Sequence, residues 1–355
     1  MDFTDKATSI RDGESLDRKR VESFLKDTIP GLSGELDIRQ FPGGYSNLTY
    51  LLTIGNREMV LRRPPFGTKA RSAHDMSREY RVLTALYPVF PYCPKPLAYS
   101  DDPDLIGSPF YVMERLNGII LRKNLPDGLT LTPPQAETLC DRFLDVMVEL
   151  HRIDYREIGL ESFGKPDGYV HRQVTGWCDR YRAARTEDAP DFETVMAWIK
   201  EKMPVDAERP TIIHNDYRLD NIVLDRFNPE KIIGVLDWEM AAVGDPLMDL
   251  GNTLAYWVEQ DDPDERKEIR MTLTHLPGFP TRAEMVRRYR EKSGLSFENF
   301  DYYYCFGMFR LAVIAQQIYY RYFHGQTKDK RFGMLIFVVQ ILERAAHKVM
   351  EESKL

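Results

Sequence analysis

The sequence predicts an α+β chain of two lobes, a small antiparallel-sheet lobe over residues 1–115 followed by a mainly helical lobe over residues 116–355. Three observations lead there. β-type runs crowd the first third of the chain around a Gly55-Asn56 connection. Apolar residues then take helical spacing from Pro133 to the C-terminus, and only three short β-type runs interrupt that pattern.

Taken in order, residues 16–26 have helical spacing, and residues 36–41 alternate as a strand that runs into Pro42-Gly43-Gly44-Tyr45-Ser46-Asn47. Residues 48–54 and 57–62 form the next two strands, and the Gly-Asn pair between them suits the positive φ of a tight hairpin. A short helix follows at 77–86. Residues 88–96 are broken by proline, and 109–114 form an apolar, β-prone run between Gly107 and Gly118. The lobe boundary is placed at 116–118. Beyond it, residues 134–151 set Leu139, Phe143, Val146, Met147 and Leu150 on one helical face, and long helices are expected at 302–322 and 331–350. The interrupting β-type runs are 211–213, 222–224 and 232–236.

Composition removes several classes of function. Hydrophobic residues make up 43% and charged residues 29% of the 355, as in ordinary globular proteins, which excludes disordered and fibrous chains. The longest strongly apolar run, 334–342, is about half the roughly 20 residues that a membrane span needs, so no membrane partner is expected. Residues 1–17 mix acids and bases without an apolar stretch, which predicts no secretory signal and a cytoplasmic location. The four cysteines form no CxxC pair, so neither zinc nor a disulfide framework is expected. The residues up to Arg115 carry 16 basic and 16 acidic side chains and the rest 32 and 39, an acidic balance that argues against a nucleic-acid partner. Nothing here bears on oligomeric state.

The chemistry concentrates in Ile213-His214-Asn215-Asp216-Tyr217-Arg218-Leu219-Asp220-Asn221. An Asp followed five residues later by an Asn, between two β-type runs, matches the spacing of a kinase catalytic loop. There the Asp accepts the hydroxyl proton and the Asn holds Mg²⁺, roles that fall to Asp216 and Asn221. Asp237 ends the following apolar run, where a second oxygen ligand for Mg²⁺ is expected. Loop aspartates are more often turn or cap residues. The ordered arrival of His, Asp, Asn and a second Asp behind a glycine loop favours chemistry.

These motifs, with Val60-Leu61-Arg62, Arg78-Glu79-Tyr80, residues 110–114, Gly244-Asp245-Pro246 and Asp249-Leu250, resemble aminoglycoside phosphotransferases and choline kinases, and in particular the kinase-like domain fused to some acyl-CoA dehydrogenases. The resemblance covers the chain from about Leu36. It implies a protein-kinase-like bilobal fold and transfer of the γ-phosphoryl group of ATP or GTP, with Mg²⁺, to a hydroxyl of a small molecule.

Residue by residue, it implies that Gly43 and Gly44 cover the nucleotide phosphates, with Ser46 and Asn47 adding side-chain donors, although a plain hairpin turn also suits Gly-Gly. Arg62 stands where the family's third-strand lysine would be, with Glu79 as its ion-pair partner; the alternative is an exposed Arg in the Arg62-Arg63 pair. Glu114 and Leu116 would meet the nucleotide base through backbone groups. Arg218 would neutralise charge during transfer, or else form a surface salt bridge with Asp220. Asn215, where this family often has glycine, is a residue that tolerates unusual backbone angles. His214 is read as holding the loop, Asp245 as a helix N-cap and Asp249 as an anchor for that helix.

Two classes of function follow: a small-molecule kinase, or a kinase-like module that binds a nucleotide or partner without turnover. The Asp216, Asn221 and Asp237 set favours the kinase. The thin acidic surplus argues against polycationic acceptors, and rings at 302–323 either line a pocket or pack helices. With the resemblance, this implies a hydroxylated, partly apolar acceptor such as a hydroxyacyl thioester.

Overall fold

A computed structural model describes residues 2–42, 47–65 and 75–355; Gly43, Gly44 and Ser46 lie outside the described residues. In chain order the elements begin with α1 (Arg18–Thr28), β1 (Leu36–Gln40), β2 (Leu48–Ile54), β3 (Arg57–Arg63), α2 (Met76–Leu86), β4 (Pro96–Ser100), α3 (Pro103–Ile106), β5 (Phe110–Glu114) and β6 (Gly118–Ile119). They continue with α4 (Pro133–Arg152), α5 (Tyr169–Ala184), α6 (Glu193–Glu201), β7 (Thr211–Ile213), β8 (Ile222–Asp225), β9 (Ile232–Val235), β10 (Ala242–Gly244), α7 (Pro246–Ala255), α8 (Asp264–Glu268), α9 (Arg282–Ser293), α10 (Asp301–Phe323) and α11 (Leu335–Glu352).

The chain divides into two compact units. The first joins residues 1–120 to 221–241, and the second joins 121–220 to 242–355. The segment 221–241, which follows the Asp216 loop in sequence, therefore packs with the N-terminal sheet unit.

In the first unit a five-stranded antiparallel sheet runs β1-β2-β3-β5-β4. Its hairpin turns at Gly55, whose φ of 60° is the left-handed conformation that glycine adopts without a Cβ penalty. The register sets Thr49 opposite Arg62. Leu36, Tyr50, Leu52, Met59, Leu61 and Phe110 form a fully buried layer beneath it, and α1 closes that layer with Val21 and Leu25. Asp75 caps α2 by accepting from Ser77 and Arg78 N–H. The strands β6, β8 and β9 form a second, three-stranded sheet.

The second unit is built around α10, whose Phe306, Phe309 and Tyr302 are buried. Phe309 meets Tyr181 of α5 and Phe192, so those rings pack helices. Where α10 crosses α7 the backbones approach closely: a Cβ added at Gly307 would lie 2.3 Å from the Gly251 carbonyl oxygen, a spacing that only hydrogen permits. Asp245 caps α7 through Leu247 N–H at 2.7 Å, with Pro246 in the first turn.

All four cysteines are buried free thiols. Burial pushes the Cys93 and Cys140 thiols far up and that of Cys305 to about 12. Among the described residues no helix is long and apolar enough to cross a membrane.

Candidate active site

In the first unit the candidate residues converge on Arg62. This guanidinium is buried on β3, where Nη1 donates to Glu79 Oε1 at 2.8 Å and Nη2 to Asp237 Oδ1 at 2.8 Å. The exposed-surface alternative for Arg62 is thereby removed. Burial alone would favour deprotonation, but the carboxylates of Glu79 and Asp237 outweigh it and hold Arg62 charged. Burial pushes the Glu79 carboxyl up, against the pull of Arg62.

Asp237 adopts φ 68°, a left-handed conformation that few non-glycine residues take. It turns the chain out of β9 into a short 3-10 turn at Trp238–Met240. Trp238 is buried against Phe90 and donates Nε1–H to the Val235 carbonyl at 2.9 Å, which fixes that turn. Asn221 precedes β8, and Ile222 pairs with Val235. Leu236 N–H donates to the Asn221 carbonyl at 2.8 Å, so Asn221 and Asp237 share one end of the β8–β9 hairpin.

Asn47, 2% exposed, donates Nδ2–H to Glu239 Oε2 at 2.7 Å. Glu239 also lies 3.9 Å from Arg62. It belongs to the Leu236-Asp237-Trp238-Glu239 motif, yet its residue type alone gave no signal for this contact. Glu114 closes β5 opposite Met59, and its N–H donates to the Lys95 carbonyl at 2.9 Å. Leu116 packs over Gly234 of β9, where a side chain could not fit.

The groups that could hold a metal here are hard oxygens, the Asp237 carboxylate and the Asn221 amide. Among the described residues no three His, Cys, Asp or Glu side chains gather into a protein-only metal site. A two-oxygen set suits an ion that completes its shell with phosphate oxygens and water, as Mg²⁺ does, so these residues fit that group.

In the second unit Asp216 and Arg218 lie together on the loop after β7. Arg218 Nε is 3.3 Å from Asp216 Oδ1 and equally 3.3 Å from Asp220 Oδ1, so it serves both carboxylates. Its guanidinium also stacks 4.8 Å from the Tyr256 ring centroid. Burial raises the Asp220 carboxyl, which Arg218 opposes and Asp216 reinforces.

What holds this loop is Asp249. Expected to anchor its own helix, it instead accepts from His214 N–H at 2.8 Å and Asn215 N–H at 2.7 Å, while His151 Nε2 lies 3.1 Å from the same carboxylate. The reason is geometric: Asp249 lies one turn into α7, wholly buried, where its carboxylate meets the N–H groups that the turn after β7 leaves without a strand partner. Burial alone would raise its carboxyl, but hydrogen bonding and charge from His151, with the His214 N–H, bring it below the usual range. Asn215 takes φ 64° there, and Asp216 N–H donates to His214 Nδ1 at 3.2 Å. Sequence spacing gave no signal for His151 or for Tyr289, whose hydroxyl lies 2.7 Å from His151 Nδ1.

Comparison with known proteins places this geometry in context. The family model described as "Phosphotransferase enzyme family" matches residues 37–284. Mouse acyl-CoA dehydrogenase family member 10 is 35% identical over 325 residues, covering 90% of this chain and 30% of that protein. Human acyl-CoA dehydrogenase family member 11 is 32% identical over 335 residues, covering 92% of this chain and 42% of that protein. The chain thus spans less than half the length of these curated relatives. Among solved structures, an aminoglycoside phosphotransferase homologue from Ralstonia eutropha superposes with a TM-score of 0.81 at 29% identity, over 96% of this chain and 100% of that one. Choline kinase from Cryptosporidium parvum shares the fold, with a TM-score of 0.63 at 13% identity over 95% and 96% of the two chains. By this match and by its α+β kinase-like fold, the chain belongs to the phosphotransferase enzyme family.

Proposed function

We propose that this chain moves the γ-phosphoryl group of Mg²⁺-bound ATP or GTP onto a hydroxyl of a small molecule, with Asp216 as general base. The observation that carries the reading is the buried Arg62 held between Glu79 and Asp237, because it joins a fixed cation for phosphate to an acid suited to a metal ion.

In the transfer, a new bond forms between the acceptor oxygen and the γ-phosphorus, and the bond from that phosphorus to the β–γ bridging oxygen breaks. The hydroxyl proton goes to Asp216, and the nucleoside diphosphate leaves with the bridging oxygen. Asp216 is suited to this because Asp249 fixes its loop while its own side chain keeps 18% exposure. Arg218 holds the Asp216 carboxylate in place and supplies positive charge beside it. Asn221 and Asp237 would hold Mg²⁺, which when bound offsets the phosphate charge. Arg62 orients phosphate oxygens with its fork while Glu79 keeps that fork in position. On this reading Gly43, Gly44 and Ser46 cover the phosphates, and backbone groups of Glu114 and Leu116 meet the base.

The test is phosphotransfer from labelled ATP and GTP to a panel of hydroxylated metabolites, read by mass spectrometry. Asp216→Asn should lower turnover by about 10²–10⁴-fold, the usual contribution of a general base, with nucleotide affinity kept within a few-fold. Wild-type turnover by the variant would refute the role of Asp216. Nucleotide binding with no product from any acceptor would support the module without turnover.

A further inference from the structure

Four arginines are buried among the described residues, and three of them reach oxygen. Arg62 binds Glu79 and Asp237, Arg63 donates to the Ile106 carbonyl at 2.8 Å, and Arg266 donates to the Ala255 carbonyl at 3.2 Å. Arg310, in the middle of α10 and 4% exposed, is the exception. Among the described residues no carboxylate, carbonyl or hydroxyl accepts a hydrogen bond from it; its guanidinium instead lies over the indole of Trp177 on α5, 5.1 Å from the ring centroid. The same indole also carries Arg180, at 4.7 Å. Two cations thus share one ring, and among the described residues neither forms an ion pair with a carboxylate.

A cation–π contact contributes about 0.5–2 kcal/mol. Burying a guanidinium costs several kcal/mol and is ordinarily offset by an ion pair with hydrogen bonds. The contact to Trp177 is too weak to balance burial, so Arg310 is an incomplete site. Its place in the unit indicates what completes it. Arg310 acts electrostatically on the hydroxyls of Tyr169 and Tyr256. Tyr169 hydrogen-bonds Asn215, the residue before Asp216, and Tyr256 lies beneath Arg218 and feels Asp216 directly. Arg310 and Asp216 therefore both act on Tyr256, and Arg310 also acts on Tyr169, the hydrogen-bond partner of the residue before Asp216.

We propose that Arg310, stacked on Trp177, binds an anionic group, a carboxylate or phosphate, carried by the phosphoryl acceptor. The inference rests on the phosphotransferase reading only in calling the bound anion an acceptor. It makes the substrate an anionic alcohol, opposite in charge to a polycationic antibiotic. Arg310 is then a specificity-determining residue, and its unpaired state records that the cation is reserved for a ligand.

The probe is inorganic phosphate, titrated by calorimetry into the full chain saturated with Mg²⁺ and a non-hydrolysable ATP analogue. Wild type should bind it. Arg310→Met should weaken binding by about 10–100-fold, the usual effect of losing a charged hydrogen-bonding partner, and Arg310→Lys should restore part of it. Affinity for the nucleotide analogue should stay within two-fold, and the melting temperature of the Met variant without phosphate should hold or rise. Equal phosphate binding by wild type and Arg310→Met overturns the proposal. So does a parallel loss of nucleotide affinity, which would make the anion a nucleotide phosphate, or a fall in melting temperature that Lys repairs with phosphate binding unchanged, which would make the role structural.

A second arm compares glycerol 3-phosphate with glycerol, and 3-hydroxybutyrate with 1,3-butanediol, as acceptors. The anionic member of a pair should show at least about tenfold higher kcat/KM in wild type, and Arg310→Met should erase that advantage. Equal turnover of the neutral members overturns the acceptor assignment while leaving phosphotransfer standing. Arg310-dependent phosphate binding without turnover of any alcohol sinks the phosphotransferase reading and leaves the anion site in place.

Discussion

Asp249 has no exposed surface, and its two carboxylate oxygens accept from two successive backbone N–H groups at the turn that carries Asp216. An amide at this position would set its own NH₂ against one of those N–H groups. Asp249→Asn should therefore cost about 2–4 kcal/mol, as loss of a buried charged acceptor does, seen as a lower urea midpoint at unchanged slope. Because the fault lies in the loop, turnover should fall while nucleotide affinity holds. A variant with the wild-type midpoint and rate would show that His151 and the loop's own bonds suffice. The grouping on this loop was legible, since His, Asp and Asn stand at a fixed spacing and the fold keeps His214, Asp216 and Arg218 together. Their support was not, because Asp249, His151 and Tyr289 are brought together by tertiary packing that leaves no local pattern in the chain. Asn215 shows the partial case: a residue tolerant of φ 64° can be read from its type, but why the angle is needed appears only with the two N–H groups turned toward Asp249.

At the scale of elements, the cap of α7 carries a burial cost that pH exposes. Burial raises the Asp245 carboxyl from 3.8 to about 6, even though it accepts from Leu247 N–H. A carboxyl raised on folding binds more protons in the native state between those values, so its contribution to stability falls as pH rises from about 4 through 6. Asp245→Asn keeps a capping oxygen and removes the charge. It should stabilise the chain by up to about 3 kcal/mol above pH 6 and by nothing below pH 4. Thermal melts at pH 4 and 7 check the sign; the same gain at both would mean the charge is irrelevant. Among elements, the β2–β3 hairpin and α4, α10 and α11 were legible from period and turn residues. The strand β4 was not, because Pro96 breaks the pattern, and an edge strand tolerates the missing donor that an inner strand would not. The strands β6 and β10, of two and three residues, include glycine and lack the unbroken β-branched run that marks the equally short β7.

For the whole molecule, ligand binding and stability are linked by mass action. A nucleotide at 100 times its Kd stabilises the folded chain by about 2.7 kcal/mol. If Asp237 holds Mg²⁺, Asp237→Ala should lose most of the melting shift caused by Mg²⁺-ATP, as EDTA should in wild type, while the shift caused by adenosine is kept. Equal losses for both ligands would count against metal ligation. The α+β class and kinase-like fold were legible because sheet and helix patterns occupy separate stretches of sequence. The packing of residues 221–241 with the N-terminal sheet was not, because β8 acquires its partner β6 from about a hundred residues upstream, a pairing that no local period encodes. The buried thiols have a practical consequence at this scale. With every native cysteine shielded and its thiolate form suppressed, maleimide chemistry will pass over the wild-type chain. A single cysteine introduced at an exposed position such as Val205 or Phe227 becomes a unique attachment point for a fluorophore or spin label, with no need to strip the chain of its own sulfur first.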